Sequence, residues 1–203
     1  DTMDGEENTK DFSYTKFGES EPTKMTLFNQ IDSYKIIPKY SYVDSYMRLE
    51  GFSGQSTKDL TKVGAKVYAQ DSNGVKYPGT VDQAQGYFSV KNIPISKDSY
   101  DIVVEAPGHL KSIQKVNLGT KTTWGEDIGQ YLFAAGKQPT AAAGDVNGDK
   151  MIDISDVIQV VAFYGKDHKK EDLNQDSIVN EKDVRFIEKN FLRVGPDAPK
   201  NKK

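Results

Sequence analysis

Apolar residues along this chain follow two different rhythms. Between about residue 42 and residue 135 they alternate with polar ones over short runs: YMRLEGF at 46–52, AKVYA at 65–69, GYFSV at 86–90, YDIVVE at 100–105 and IQKVNL at 113–118. A period of two puts every second side chain on one face of a strand, and β-branched and aromatic residues suit a half-buried sheet. Turn formers separate the runs, DSNG at 71–74 foremost. Short strands punctuated in this way predict an antiparallel β-sandwich. Past residue 150 the rhythm becomes helical. Val157, Val160 and Tyr164 fall at i, i+3 and i+7, and so do Val184, Ile187 and Phe191. Each set predicts a short helix with one apolar stripe.

The intervening GKQPTAAAG, 136–144, reads as a linker of small residues, and VGPDAPKNKK, 194–203, as a frayed tail. The first 40 residues are polar and mixed. DTMDGEENTK has the composition of a disordered segment, whereas FNQIDSYKII at 28–37 has strand character before Pro38. That strand serves either as the closing edge of an upstream domain or as a leader for the sandwich. The expected division is therefore 1–40 as linker or domain edge, 41–135 as sandwich, 136–143 as linker, 144–194 as helical domain and 195–203 as disordered tail.

What precedes each helix carries the chemistry. GDVNGDKMIDISDV at 144–157 places oxygen-bearing side chains at alternate positions, and DLNQDSIVNEKDV repeats the pattern 27 residues on. A 12-residue calcium loop draws its ligands from positions 1, 3, 5, 7, 9 and 12, the seventh through a backbone carbonyl. In the first loop these are Asp145, Asn147, Asp149, Met151, Asp153 and Asp156; in the second, Asp172, Asn174, Asp176, Ile178, Asn180 and Asp183. The eighth positions, Ile152 and Val179, are aliphatic and suited to pinning paired loops on a core. Two matches at one spacing predict two bound Ca2+ ions. The loops depart from an EF-hand at position 6, where Lys150 and Ser177 replace glycine, and at position 12, where Asp replaces a bidentate Glu. A non-glycine residue forced to φ > 0 costs about 1 kcal/mol, so affinity is expected to suffer without being lost.

Composition narrows the classes. Hydrophobic residues make up 36% and charged ones 28% of the 203 residues, the formal net charge is -3, and there is no cysteine. The charge leaves no basic footprint for nucleic acid. The lack of cysteine excludes disulfides and thiolate metal sites without excluding export. No apolar run approaches a membrane span and the start has no signal-peptide core, so the chain reads as part of a larger secreted polypeptide or a mature product.

Asp at both twelfth positions, with GKQPTAAAG unable to supply an incoming helix, resembles the dockerin family over residues 144–193. The preceding segment, in GAKVYAQDSNG, QGYFSVKNIP and YDIVVEAPGHL, resembles the carboxypeptidase-regulatory-like or transthyretin-like sandwich and the X-modules that stand before dockerins. The resemblance implies a multidomain chain: an all-β, transthyretin-like or Ig-like sandwich followed by a small all-α dockerin of two calcium loop–helix repeats. It also implies a cohesin domain as partner, in an extracellular polysaccharide-degrading assembly such as a cellulosome. Carried onto this chain, the family's contact positions are Ile154, Ser155, Ile158, Val161, Ala162 and Lys166 in the first repeat. In the second they are Glu181, Lys182, Arg185, Glu188, Lys189 and Arg193. The aliphatic first face resembles type II dockerins, and its contrast with the charged second face favours one binding orientation. The alternative is a calcium-stabilised C-terminal appendage of a secreted protease or glycosidase, its dockerin-like part docked intramolecularly.

No catalytic constellation emerges, and a non-enzyme is expected. GFSGQSTK at 51–58 fits neither G-x-S-x-G nor a phosphate loop and reads as a polar turn. His109 and His168 lie in unrelated segments, and Trp124 reads as a packing residue. Lys66, Glu105 and Asn117 resemble, in placement, the isopeptide lysine, helper acid and acceptor of pilin-like domains, although the APGHL ending favours a sandwich without that bond.

Overall fold

A computed structural model describes residues 9–14, 23–28, 40–52, 60, 63–82, 86–118, 130–131, 133 and 137–199. The chain divides into two compact units, Asp1–Ile37 and Pro38–Lys203. The first holds an antiparallel pair, β1 (Thr9–Tyr14) and β2 (Thr23–Phe28), with Thr9 opposite Phe28 and Tyr14 opposite Thr23. The segment expected to be disordered thus contributes Thr9 and Lys10 to β1, and its other residues lie outside the described ones. Of the expected 28–37 strand only Phe28 is described.

The second unit contains β3 (Tyr40–Tyr46), β4 (Arg48–Leu49), β5 (Lys66–Gln70), β6 (Lys76–Val81), β7 (Tyr87–Pro94), β8 (Tyr100–Glu105) and β9 (Gly108–His109). It continues with β10 (Ser112–Val116), β11 (Gln130–Tyr131), β12 (Thr140–Ala141), β13 (Ala143–Asp145), α1 (Ile154–Ala162) and α2 (Glu181–Asn190). Seven strands form one curled sheet in the order β10-β8-β5-β6-β7-β3-β11, antiparallel except where β11 joins β3. Alternation works as expected: Val67 and Ala69 of β5, Phe88 and Val90 of β7, and Ile102 and Val104 of β8 point into one core and are almost fully buried. The curled, two-layered β architecture agrees with the sandwich expectation.

Two strands escape the hydrophobic rhythm. In β3 the inward positions are Ser41, Val43 and Ser45, all buried, so only one is apolar. β6 runs through Pro78 and Gly79, paired to Tyr68 of β5 and Val90 of β7. The isopeptide idea fails on placement. Lys66 is exposed, and Glu105, opposite it, accepts a hydrogen bond from Tyr68 (2.7 Å) and pairs with Lys111 (2.9 Å). Asn117 is exposed just past β10. A crosslink of this kind needs a desolvated lysine among apolar side chains, which these residues do not provide.

The largest departure is the expected linker. Pro139, Ala141, Ala142, Ala143 and Gly144 are buried. β12 lies parallel to β4, with Arg48 N–H donating to Pro139 O (2.8 Å) and Glu50 N–H to Ala141 O (3.0 Å), and β13 lies antiparallel to β9. Alanines read as spacer because they give no period, but their small side chains let these backbones approach the sandwich. Leu110, which follows β9, belongs to a second apolar core with Ala143, Val146, Ile152, Val160, Leu173, Val179 and Ile187. Gly51, at φ +90°, sits so close that a Cβ would lie 2.7 Å from the Leu173 carbonyl oxygen. Sandwich and helical repeats are therefore packed into one unit. GFSGQSTK is described only at Gly51 and Phe52, and Trp124 lies outside the described residues.

Candidate metal loops and an exposed helix face

Both loops adopt the same conformation. Position 4 has positive φ in each (Gly148 at 81°, Gln175 at 52°), and so has position 6 (Lys150 at 75°, Ser177 at 73°). The sixth residues therefore take the left-handed turn that glycine serves at lower cost. The twelfth-position carboxylates organise the ends. Asp156 accepts from Val146 N–H (2.9 Å), Asn147 N–H (3.1 Å) and Asp153 N–H (2.9 Å). Asp183 accepts from Leu173 N–H (2.8 Å), Asn174 N–H (3.2 Å) and Asn180 N–H (2.8 Å). Each is also the third residue of its helix and closes a capping box with Asp153 or Asn180 as N-cap. One residue thus serves loop and helix together.

The first ligand positions behave alike. Asp145 accepts from Gly148 N–H (2.9 Å) and Lys150 N–H (3.2 Å), and Asp172 from Asp176 N–H (3.1 Å) and Ser177 N–H (2.8 Å). Burial, with the Asp156 and Asp149 charges adding to it, pushes the Asp145 carboxyl up to about 6 against its own amide hydrogen bonds. Burial likewise raises Asp156, helped by Asp149, and raises Asp172, helped by Asp183 and Asp176. Asp176 is held low by the Lys182 ammonium 2.9 Å away. Among the described residues no three His, Asp or Glu side chains are grouped as around an ion. The carboxylates instead cap their loops' own amides. The donor set is nonetheless hard oxygen throughout, gathered on left-handed turns, with partly buried acids whose mutual repulsion a divalent cation relieves; in kind it fits calcium.

Ile152 and Val179 are fully buried in the shared core, as expected of the eighth positions. The predicted stripes hold for Val160 and Ile187, buried, and for Val157 and Val184, which pack partly. They fail at their last members: Tyr164 and Phe191 lie beyond the helix ends and are 53% and 47% exposed. Phe163 and Phe186 pack partly against the same core instead.

All twelve expected partner-face residues are exposed. Ile154, Ile158 and Val161 line one side of α1 at 58%, 64% and 52% exposure, so they pack neither on the sandwich nor on α2. On α2, Arg185 pairs with Glu181 (3.1 Å) and Lys189 with Glu50 (2.6 Å). Leu192 and Val194, 68% and 54% exposed, are further solvent-facing apolar residues that were not picked from sequence.

Sequence reasoning also missed the polar tether between the modules. Glu50 accepts from Ala143 N–H (3.1 Å), from the Asn190 amide and from Lys189. Burial works to raise its carboxyl, but these three partners outweigh burial and hold it below the usual range. His109 is buried with its ring nitrogens 2.8 Å from Pro107 O and 2.9 Å from Glu50 O. His168 instead pairs with Glu171 and stacks on Phe163, so the two histidines share no site. Among the described residues no helix is long and apolar enough to cross a membrane.

No protein-family model matches the chain, and no curated protein matches it. Solved structures do. A chain from the crystal structure of a type II cohesin–X-dockerin complex of Acetivibrio cellulolyticus, a C-terminal interface mutant, superimposes with a TM-score of 0.57 at 20% identity, over 77% of this chain and 99% of that one. An N-terminal interface mutant of the type II cohesin–X-dockerin complex from the same organism gives a TM-score of 0.55 at 19% identity, with the same coverage. At this identity the likeness is one of fold.

Proposed function

We propose that this chain is a non-catalytic, calcium-dependent assembly module, an X-module-like sandwich followed by a dockerin, which anchors a larger secreted polypeptide to a cohesin domain outside the cell. The observation that carries the reading is the duplicated loop–helix unit. Positive φ at positions 4 and 6 and an Asp closing the capping box recur 27 residues apart. The fold likeness to cohesin–X-dockerin structures supports it, as does the aliphatic face of α1, left facing solvent where a binding surface is wanted.

Calcium would be held by Asp145, Asn147, Asp149, Met151 O, Asp153 and Asp156 in the first loop, and by Asp172, Asn174, Asp176, Ile178 O, Asn180 and Asp183 in the second. Bound there, it supplies charge neutralisation among the acids and couples ion binding to folding. The chain's own residues do the rest. Asp156 and Asp183 fix the first turn of each helix, Ile152 and Val179 seat both loops on the common core, and the outer helix faces stay free for the partner.

Calorimetric titration should detect about two calcium ions per chain, and immobilised cohesin domains should retain the protein in calcium and release it in EDTA. Melting that is identical in calcium and in EDTA would end the metal reading. Retention by no cohesin of either type would end the assembly reading.

A further inference from the structure

The chain beyond α2 does not fray where its sequence predicts. VGPDAPKNKK carries no periodic pattern, yet Gly195 is buried and Asp197 and Ala198 are half-buried. One pair of bonds at this end is common to both repeats. Leu192 N–H donates to Ile152 O (2.8 Å) and Ile152 N–H to Arg193 O (2.9 Å). In the other loop, Gly165 N–H donates to Val179 O (2.8 Å) and Val179 N–H to Lys166 O (2.8 Å). Past these bonds the repeats part. The first loop is gripped further, by Gly195 N–H donating to Lys150 O (2.7 Å) and by an antiparallel bridge between Met151 and Val194. A Cβ on Gly195 would lie 3.2 Å from Asp197 Oδ1 and 3.3 Å from Lys150 O, so a glycine lets the chain end close on the loop.

Side chains then fasten this end to the sandwich. Lys150 Nζ donates to Asp197 O (3.2 Å) and lies 3.4 Å from Asp197 Oδ2. The same Oδ2 is 3.2 Å from Nζ of Lys111, which also pairs with Glu105 (2.9 Å), itself the acceptor for Tyr68 OH (2.7 Å). Burial acts to raise the Asp197 carboxyl, but Lys111, by hydrogen bond and charge, and Lys150, by charge, outweigh it and hold it below the usual range. The second loop lacks the chemistry for such a fastening. Ser177 stands where Lys150 does, and Lys170, a cation, stands where Asp197 does.

We infer that Lys111 and Asp197 are positioning residues for the first metal loop alone: latched to the sandwich, the chain end holds Lys150 and Met151 in the turn from which Met151 O would ligate. The two loops are therefore unequal, the first preset by the sandwich and the second left to calcium itself. This rests on the calcium reading above. Preorganisation strengthens binding because less freedom is lost when the ligand arrives. Charge alone predicts the opposite sign for Lys111. Lys111, Lys150 and Asp145 line one cleft, so removing the Lys111 cation would by itself favour a divalent ion there. If Lys111 positions the loop, its removal weakens binding instead.

Calcium titration of the full chain, followed by NMR at backbone amides, reads the loops separately: Gly148 and Lys150 report the first, Gln175 and Ser177 the second. Lys111→Met should weaken the first site about tenfold, the worth of roughly one lost hydrogen bond, and leave the second within about twofold. Lys111→Arg, which keeps the cation, should stay within about threefold of the parent at the first site. Lys115→Met, at a separate sandwich ion pair (3.6 Å to Asp101), controls for the loss of one charge and should change neither site. In EDTA, Lys111→Met and Asp197→Asn should both speed hydrogen exchange at Gly195 N–H and leave Val179 N–H unchanged. An intact second site shows that each variant folds. A first site that is unchanged or tighter in Lys111→Met would overturn the inference, and so would equal weakening of both sites. No calcium response in the unmodified chain would end the calcium reading and this inference with it, an outcome distinct from the other two.

Discussion

Ser177 and Lys150 hold the left-handed turn of their loops at φ 73° and 75°. The strain is the same in both, but the side chains do different work. Lys150 reaches Asp197, with its ammonium 3.2 Å from the backbone carbonyl and 3.4 Å from the carboxylate, and Asp197 also pairs with Lys111 of the sandwich at 3.2 Å. Ser177 is exposed and makes no comparable side-chain tie to the sandwich. Ser177→Gly should therefore relieve about 1 kcal/mol of backbone strain, read as a rise in apo-protein stability. Lys150→Gly should gain less, because it gives up the link to Asp197. An S177G variant less stable than the parent would show that the loop is not strained as its φ implies.

Elements were legible wherever their signal was local. The loop spacing and the strands β5, β7, β8 and β10 all follow from neighbours within a few residues. β3 was hidden because two of its three inward residues are serines, and β6 because Pro78 and Gly79 read as turn. The strands β12 and β13 were hidden in alanines whose role appears only against β4 and β9. In the candidate site, the alternate spacing of the loop oxygens was readable, whereas the Glu50–Asn190 tether joins residues 140 apart and leaves no local trace. That tether can be graded. Glu50→Ala strands the buried Ala143 N–H and Asn190 amide and should cost about 1–3 kcal/mol in urea unfolding. Lys189→Ala removes an exposed partner and should cost less than about 1 kcal/mol. Equal losses would place the tether's energy in the ion pair and not in the buried amides.

The second unit behaves as one body because its two cores share a boundary. Leu110 comes from the sandwich and packs among Leu173, Val179 and Ile187, and its N–H donates to Ala142 O at 2.9 Å. His109, next to it, makes that boundary sensitive to acid. Burial pulls its pKa below the ordinary 6.5, against two carbonyl contacts and the Glu50 charge, which raise it. The unfolded chain therefore takes up a proton before the folded one does. The stability this group contributes is complete above its unfolded pKa and is lost as pH falls through and below that value. Urea midpoints should be lower at about pH 5.5 than at about pH 7.5, and His109→Gln should reduce the difference. A variant with an undiminished pH dependence would place the acid sensitivity elsewhere.

The parallel seating of β12 beside β4 matters most under tension. Pulled from the side preceding Arg48 and from the side following Ala141, the two strands slide lengthwise past each other. The Arg48–Pro139 and Glu50–Ala141 hydrogen bonds then carry the load side by side instead of parting in succession. A pull that enters through the helical repeats thus meets a shear clamp before it reaches the curled sheet, and rupture force, set by the rate of unfolding, is the property this short pairing governs.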